Sequence, residues 1–333
     1  MIRHDRPSRH TLRAHIVSGI ALLAAVFVAP AVAADEFPTG PVKILVGFPA
    51  GGGTDIMARH VARNLEARWD VPVVVENRVG AGGIVAAEDL LRAEPDGQTL
   101  MMAHIQTVVL APLSLPNADR AAIGNFTPIS LVARQPHVVA VRAESPFQTV
   151  EALLAAARDG ERLSYASTGI GGVQHLAAAA FAADAELDMR HIPYKGSAPG
   201  LQALIAGEID VFFDGITPAT PFLKSGDVRA LAVTVAERIP SVDAPTLQET
   251  GFPGFDMTSW WALVGPPELA DDRRAAIAEA VQAALEEPDF TAFLADLGVM
   301  SGAGFTGDRF DAFVETEVEK FAAIARALGI EPR

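Results

Sequence analysis

Residues 43–55 read KILVGFPAGGGTD. An apolar run, three consecutive glycines and the start of a periodic apolar face make a strand–turn–helix unit. Behind the turn, Met57, Val61, Leu65 and Trp69 recur every fourth residue, one face of a helix. Such a junction aims backbone N–H groups and the positive helix end at one point, a place for an anion. Residues 47–54, GFPAGGGT, nearly spell the phosphate-binding pattern G-x-x-x-x-G-K-[ST], with Gly53 where the lysine belongs. Without that cation a nucleoside triphosphate is a poor guest and a carboxylate a better one. The plainer alternative is a tight turn that binds nothing. Three glycines in a row cost conformational entropy that a plain turn does not require, which weighs toward a ligand. Thr54 or Asp55 is expected to cap the helix.

Working outward, strand and helix patterns alternate. PVVVEN (72–77) and TLMMAH (99–104) read as strands, with a helix over 81–97 between them. A second alternating series starts at His137, with strands at 137–143, 163–168, 189–195, 209–215 and 228–234 and helical stretches between. This alternation predicts an α/β fold of two parallel-sheet-based lobes, each sheet covered on both faces. After 246 the pattern changes to one strand, MTSWWALVG (257–265), and helices at 271–287, 289–298 and 307–329. Those helices are expected to return and cover the first sheet. The expected lobes are 36–136 plus 247–333 and 137–246, joined by a two-segment hinge, with the ligand in the cleft.

Residues 1–33 look like an export signal. Four arginines precede an apolar run over 16–32, and Ala31-Val32-Ala33 fits a small-x-small cleavage site. A membrane anchor is the alternative, but the run is shorter than the roughly 20 residues a span needs. The chain has no cysteine, so neither a disulfide nor a lipidated cysteine is available. With 26 Lys+Arg against 41 Asp+Glu, the net charge is −15. The first 33 residues carry four Arg and one Asp, so the remainder stands near −18. Nucleic acid and anionic membranes are excluded as partners by that charge. An anion must therefore be held by local geometry rather than by net charge.

A second glycine turn, Thr168-Gly169-Ile170-Gly171-Gly172, follows the strand at 163–168 and opens a helix. Ser167 and Thr168 add hydroxyls. Two such turns in two lobes suit the two ends of a dianion. Asp214 closes the strand IDVFFDG, where it either meets a ligand or forms a turn before Gly215. Tyr194-Lys195 sits at a similar strand end. His60, His104, His137, His175 and His191 show no metal-ligand spacing, and no G-x-S-x-G elbow occurs. His175, in an alanine-rich helix, reads as packing. Trp260 and Trp261 read as core or hinge, with an aromatic wall for the ligand as the lesser alternative. No cofactor and no metal are expected.

The ordered motifs FPAGGGTDIMAR (48–59), PVVVENRVGAGG (72–83), YASTGIGG (165–172), HIPYKGSAPGL (191–201) and APTLQETGFPGF (244–255) carry a resemblance. The chain resembles the solute-binding receptors of tripartite tricarboxylate transporters, the Bug-type or TctC-like family. The resemblance implies a bilobed periplasmic-binding-protein architecture without enzymatic activity. Such a receptor closes by hinge motion around a small organic acid and delivers it to membrane transporter subunits. The carboxylate is then held by backbone amides, hydroxyls and waters. By motif, the first-lobe contacts are Phe48, Ala50, Gly53, Thr54 and Asp55. The second-lobe contacts are Ser167, Thr168, Gly169 and Gly172, with Asp214 nearby. Gln106 and Thr107 belong to a segment, 104–110, that follows no legible pattern and is expected to line the cleft. Gln98 and Ala262 depart from the family's usual aromatic and glycine. The expected protein is a periplasmic monomer. A secreted enzyme using Asp55, His104 or Asp214, and a sensor feeding a signalling partner, are the rival readings.

Overall fold

The computed structural model describes residues 37–330. The expected export segment lies outside the described residues. The leading strand, β1 (Val42–Val46), is buried except at Lys43, as a central strand of an α/β sheet must be. Helix α1 (Gly53–Trp69) follows, burying Met57, Val61 and Leu65. Strand β2 (Val73–Asn77) pairs parallel to one side of β1, and β3 (Thr99–His104) pairs parallel to the other. Between them α2 (Ile84–Leu91) is shorter than the expected 81–97 helix, because a 3-10 turn at Ala81–Gly83 precedes it. Two close approaches fix this corner. A Cβ on Gly47 would fall 2.5 Å from Gly83 Cα, and one on Gly83, at φ +98, would fall 2.4 Å from Thr107 Oγ1.

After β3 the chain makes a π-helical turn, Gln106–Leu110, that runs into α3 (Ala111–Ser114). It then enters β4 (Thr127–Arg142), one 16-residue strand. The expected strand began only at His137, because Pro128 and Pro136 interrupt the apolar pattern and each removes a donor. Bulges at 128–130 and 131–133 accommodate the first of them. The first half of β4 pairs antiparallel with β9 (Thr258–Gly265) and with the short β10 (Met300–Ser301). Its second half pairs antiparallel with β7 (Val211–Gly215) and β8 (Val228–Val233). Strands β5 (Ser164–Ser167) and β6 (Arg190–Pro193) complete that side, parallel to each other and to β7.

The two sheets are therefore β2-β1-β3-β9-β4 and β4-β7-β5-β6, sharing β4. Each has a parallel part, as expected, and gains antiparallel strands from β4 and β9. Helices α4 (Val150–Arg158), α5 (Val173–Asp184), α6 (Ser197–Ala206) and α7 (Ile216–Ser225) serve the second sheet. Helices α8 (Asp271–Glu286), α9 (Pro288–Asp296) and α10 (Gly307–Ala327) come from the last third. Both α8 and α10 pack on β4, the strand that the two sheets share; α8 also packs on α1 and α10 on α5. Thr234, just after β8, ties β4 to the residues that lead into β9. Thr234 Oγ1 donates to Met257 O at 2.6 Å, and Thr234 N donates to His137 O at 3.0 Å. No described helix is long and apolar enough to cross a membrane.

Candidate functional site

The loop between β1 and α1 is built to expose a helix start. Gly52 caps α1 in extended backbone, φ −77 and ψ 164, and no side chain supplies a cap. The first amides of α1 have no intrahelical acceptor and point out of the helix end. Thr54 and Asp55, the expected caps, are otherwise engaged. Thr54 Oγ1 accepts from Trp261 Nε1 at 3.0 Å. Asp55 is buried and takes three donors: Gly51 N–H at 2.8 Å, Arg59 Nε at 2.9 Å and Asn77 Nδ2 at 2.9 Å. Burial alone would raise its pKa. The hydrogen bonds from Arg59, Gly51 and Asn77 outweigh burial and hold it at about 2. Asp55 thus stays ionised as the lock of the loop.

A cavity of ≈ 470 Å³ opens under this loop. Phe48, Gly53, Thr54 and Met57 line it from the loop and α1, and His104 and Trp261 from β3 and β9. Gln135 on β4, Thr217 and Pro218 at the start of α7, and Leu297 close the other side. Among the described residues no lysine, arginine or carboxylate lines it. Consecutive strand residues face opposite sides, which separates the two tryptophans. Trp260 is buried in the core and donates to Glu317 Oε2 at 3.0 Å, whereas Trp261 faces the cavity.

The His104 ring sits between Phe48 and Trp261, with centroids 5.7 and 5.5 Å away. Burial, then the neighbouring His137, lowers its pKa to about 4, so it is neutral near pH 7. Its Nδ1 accepts from Gln106 N–H at 3.3 Å, which leaves the proton on Nε2. His104 opens the segment 104–110 that was expected to line the cleft, whereas Trp261 takes the ligand-wall place that was the lesser reading for it. A histidine at the end of a predicted parallel strand was the available signal.

The second glycine turn repeats the first. Gly172 caps α5 at φ −78 and ψ 163, and Gly171 N–H donates to His175 Nδ1 at 3.1 Å. Ser167 Oγ meets His191 Nε2 at 2.6 Å and Gly169 N–H at 3.1 Å. Thr168 donates to Gln174 Oε1 at 3.0 Å. Neither this turn nor the exposed Ala50 lines the cavity. Gln106 stands between the two regions: a Cβ on Gly172 would lie 3.5 Å from Gln106 Oε1. Thr107 is buried and donates to Gly82 O at 2.8 Å, so it ties the π-turn to the neighbouring loop.

Asp214 is fully buried at the end of β7 and does not line the cavity. Oδ1 accepts from Ser197 Oγ at 2.6 Å, and Oδ2 has no partner among the described residues. Burial pushes its pKa up to about 7, against the opposing hydrogen bonds from Ser197 and the Gly215 backbone. The three groups a hydrolytic reading would enlist are therefore dispersed. Asp55 is locked, Asp214 lies elsewhere, and only His104 reaches the cavity. Among the described residues no group of three His, Cys, Asp or Glu is placed to hold a metal ion.

Residues 57–330 match the family model described as the tripartite tricarboxylate transporter family receptor. The protein BugT of Bordetella pertussis is 31% identical over 321 residues, covering 94% of this chain and 96% of that one. Among solved structures, an R. palustris protein with adipate superposes with a TM-score of 0.76 at 30% identity, covering 90% of this chain and all of that one. MatC of Rhodopseudomonas palustris, with bound malate, gives 0.71 at 29% identity over 86% of this chain and 99% of the other.

Proposed function

The chain belongs to the receptor family of tripartite tricarboxylate transporters, and on that footing we propose that it captures a small organic carboxylate between its two halves. The family and its structural neighbours are solute-binding receptors rather than enzymes. The observation that carries the proposal is the uncapped start of α1 over a cavity whose polar lining groups are uncharged. Backbone amides at a helix start satisfy a carboxylate without a salt bridge. The tension between an acidic protein and an anionic ligand then disappears. Carboxylates in the relatives solved with adipate and malate support the same class of ligand.

The contacts assigned are Phe48, Gly53 and Thr54 at the cavity and Ala50 at its rim, with Asp55 and Thr107 holding the loops in place. Gln106 links this seat to Ser167, Thr168, Gly169 and Gly172, which close from the other half, with Asp214 behind them. The lobes would be 36–136 plus 247–333 and 137–246, turning about the crossing at His137 and Met257. A ligand that contacts both lobes stabilises the closed state by its differential affinity. The receptor would be an exported monomer, cleaved near Ala33, that hands its ligand to the membrane subunits of a transporter.

Native mass spectrometry of the protein as purified tests this, followed by thermal shifts against a panel of acids. Bound ligand raises stability by RT ln(1 + [L]/Kd). A retained small acid, or a saturable shift with one, is expected. Stripped protein that shifts with no carboxylate would defeat the proposal.

A further inference from the structure

The cavity under the first glycine loop has one polar end and an apolar body. At the polar end every group is a neutral donor. Thr54 Oγ1 already accepts from Trp261 Nε1, which leaves its own proton to give. His104 Nδ1 already accepts from Gln106 N–H, which leaves Nε2–H to give. The amides at the start of α1 add to these. One carboxylate matches that set.

Away from this end the walls change character. Phe48, Met57, Trp261, Pro218, Leu297 and Val299 form most of the remaining surface. Thr217 Oγ1 donates to Leu297 O at 3.0 Å, so toward a ligand it can only accept. Gln135 alone brings a further polar side chain, from the β4 side. A ligand hydroxyl pressed on closure against this apolar wall, out of reach of Gln135 and Thr217, would be stripped of water and left without a partner. A buried polar group in that state costs about 1–3 kcal/mol, roughly five- to a hundredfold in affinity.

Resting on the carboxylate-receptor reading above, we infer that the cavity selects acids whose carbon skeleton is plain hydrocarbon, aliphatic or aromatic, over hydroxy acids of the same length. The walls discriminate by leaving the hydroxyl unsatisfied, and the donor cluster at α1 treats both acids alike. The preference is therefore set by Met57, Trp261, Leu297 and Val299 and not by the glycine loop.

Isothermal titration calorimetry on ligand-stripped protein, with matched pairs, tests this. Succinate against malate and hexanoate against 3-hydroxyhexanoate differ by one hydroxyl each. The plain acid of each binding pair is expected to be at least roughly fivefold tighter. Equal or tighter binding of the hydroxy acid overturns the inference while leaving the receptor reading intact. Failure of every acid, benzoate included, overturns the receptor reading and this inference with it. Val299→Thr keeps the side-chain shape and adds a hydroxyl to the wall, so it should narrow the ratio. An unchanged ratio in that variant contradicts the role given to this wall.

Discussion

The two glycine turns share a backbone and differ in what locks them. In each, a glycine caps the following helix at nearly the same angles, −77/164 at Gly52 and −78/163 at Gly172. In each, the preceding glycine has positive φ and donates its N–H to the side chain four residues on. That side chain is Asp55 in the first turn and His175 in the second. The first residue of the helix is Gly53 in one and the buried Val173 in the other. The first turn keeps its helix start over a cavity, while at the second a Cβ on Gly172 would lie 3.5 Å from Gln106 Oε1 and 3.7 Å from Gln174 Oε1. Equal backbone geometry therefore does not make equal sites.

Exchanging the features that separate the turns should break the comparison. The largest effect is expected from Gly53→Val. A Cβ there meets Trp261 at 3.4 Å, an ordinary contact, so Ala fits, but the branches of Val enter the cavity. Calorimetry should show affinity for the retained acid falling at least about a hundredfold, with a melting point within about 2 °C of the parent. Binding that survives unchanged would remove the first turn from the site.

A smaller effect is expected from the locks themselves. Asp55→Ala leaves three donors without their acceptor and should cost about 2 kcal/mol in chemical denaturation, since Arg59 and Gly51 can turn to water. His175→Ala should cost about 1 kcal/mol, because one neutral hydrogen bond is lost. Equal losses would mean that the charge on the first lock is immaterial.

The smallest effect is a difference in pH response. Burial, then the neighbouring His191, lowers the pKa of His175 from 6.5 to about 4. The folded state then resists protonation more than the unfolded chain does. The stability this group contributes is complete above 6.5 and falls as pH drops toward 4. Asp214 runs the other way: its pKa is raised to about 7, so its contribution falls as pH rises from about 4 to 7. Denaturation midpoints from pH 4 to 7 should flatten on the acid side in His175→Gln. They should gain stability toward pH 7 in Asp214→Asn relative to the parent. Parallel curves for parent and variants would contradict these assignments.

Much of this was legible in the chain. The strand–glycine–helix junctions at 43–55 and 163–173 could be read because glycine runs and helical periodicity are local signals. The helices of the last third, α8, α9 and α10, were readable from their apolar periodicity. The first half of β4 was hidden because Pro128 and Pro136 mimic a loop, and bulges that rescue a proline leave no sequence mark. The π-turn at Gln106–Leu110 has no periodicity of its own to detect. For Trp261 the sequence left core, hinge and ligand wall open. Its place on the cavity follows from β9 lying between β3 and β4, a long-range pairing that local patterns do not encode. The functions of Asp55 and Thr107 as loop ties likewise depend on partners distant in sequence, Asn77 and Gly82.

The central claim is that the carboxylate sits on the start of α1. A crystal structure of the complex with the acid retained on purification tests it most directly. The account predicts a carboxylate oxygen about 2.7–3.2 Å from the amides of Gly53 and Thr54, with His104 Nε2 in reach. A carboxylate seated on the start of α5, with the first loop touching only solvent, would contradict it.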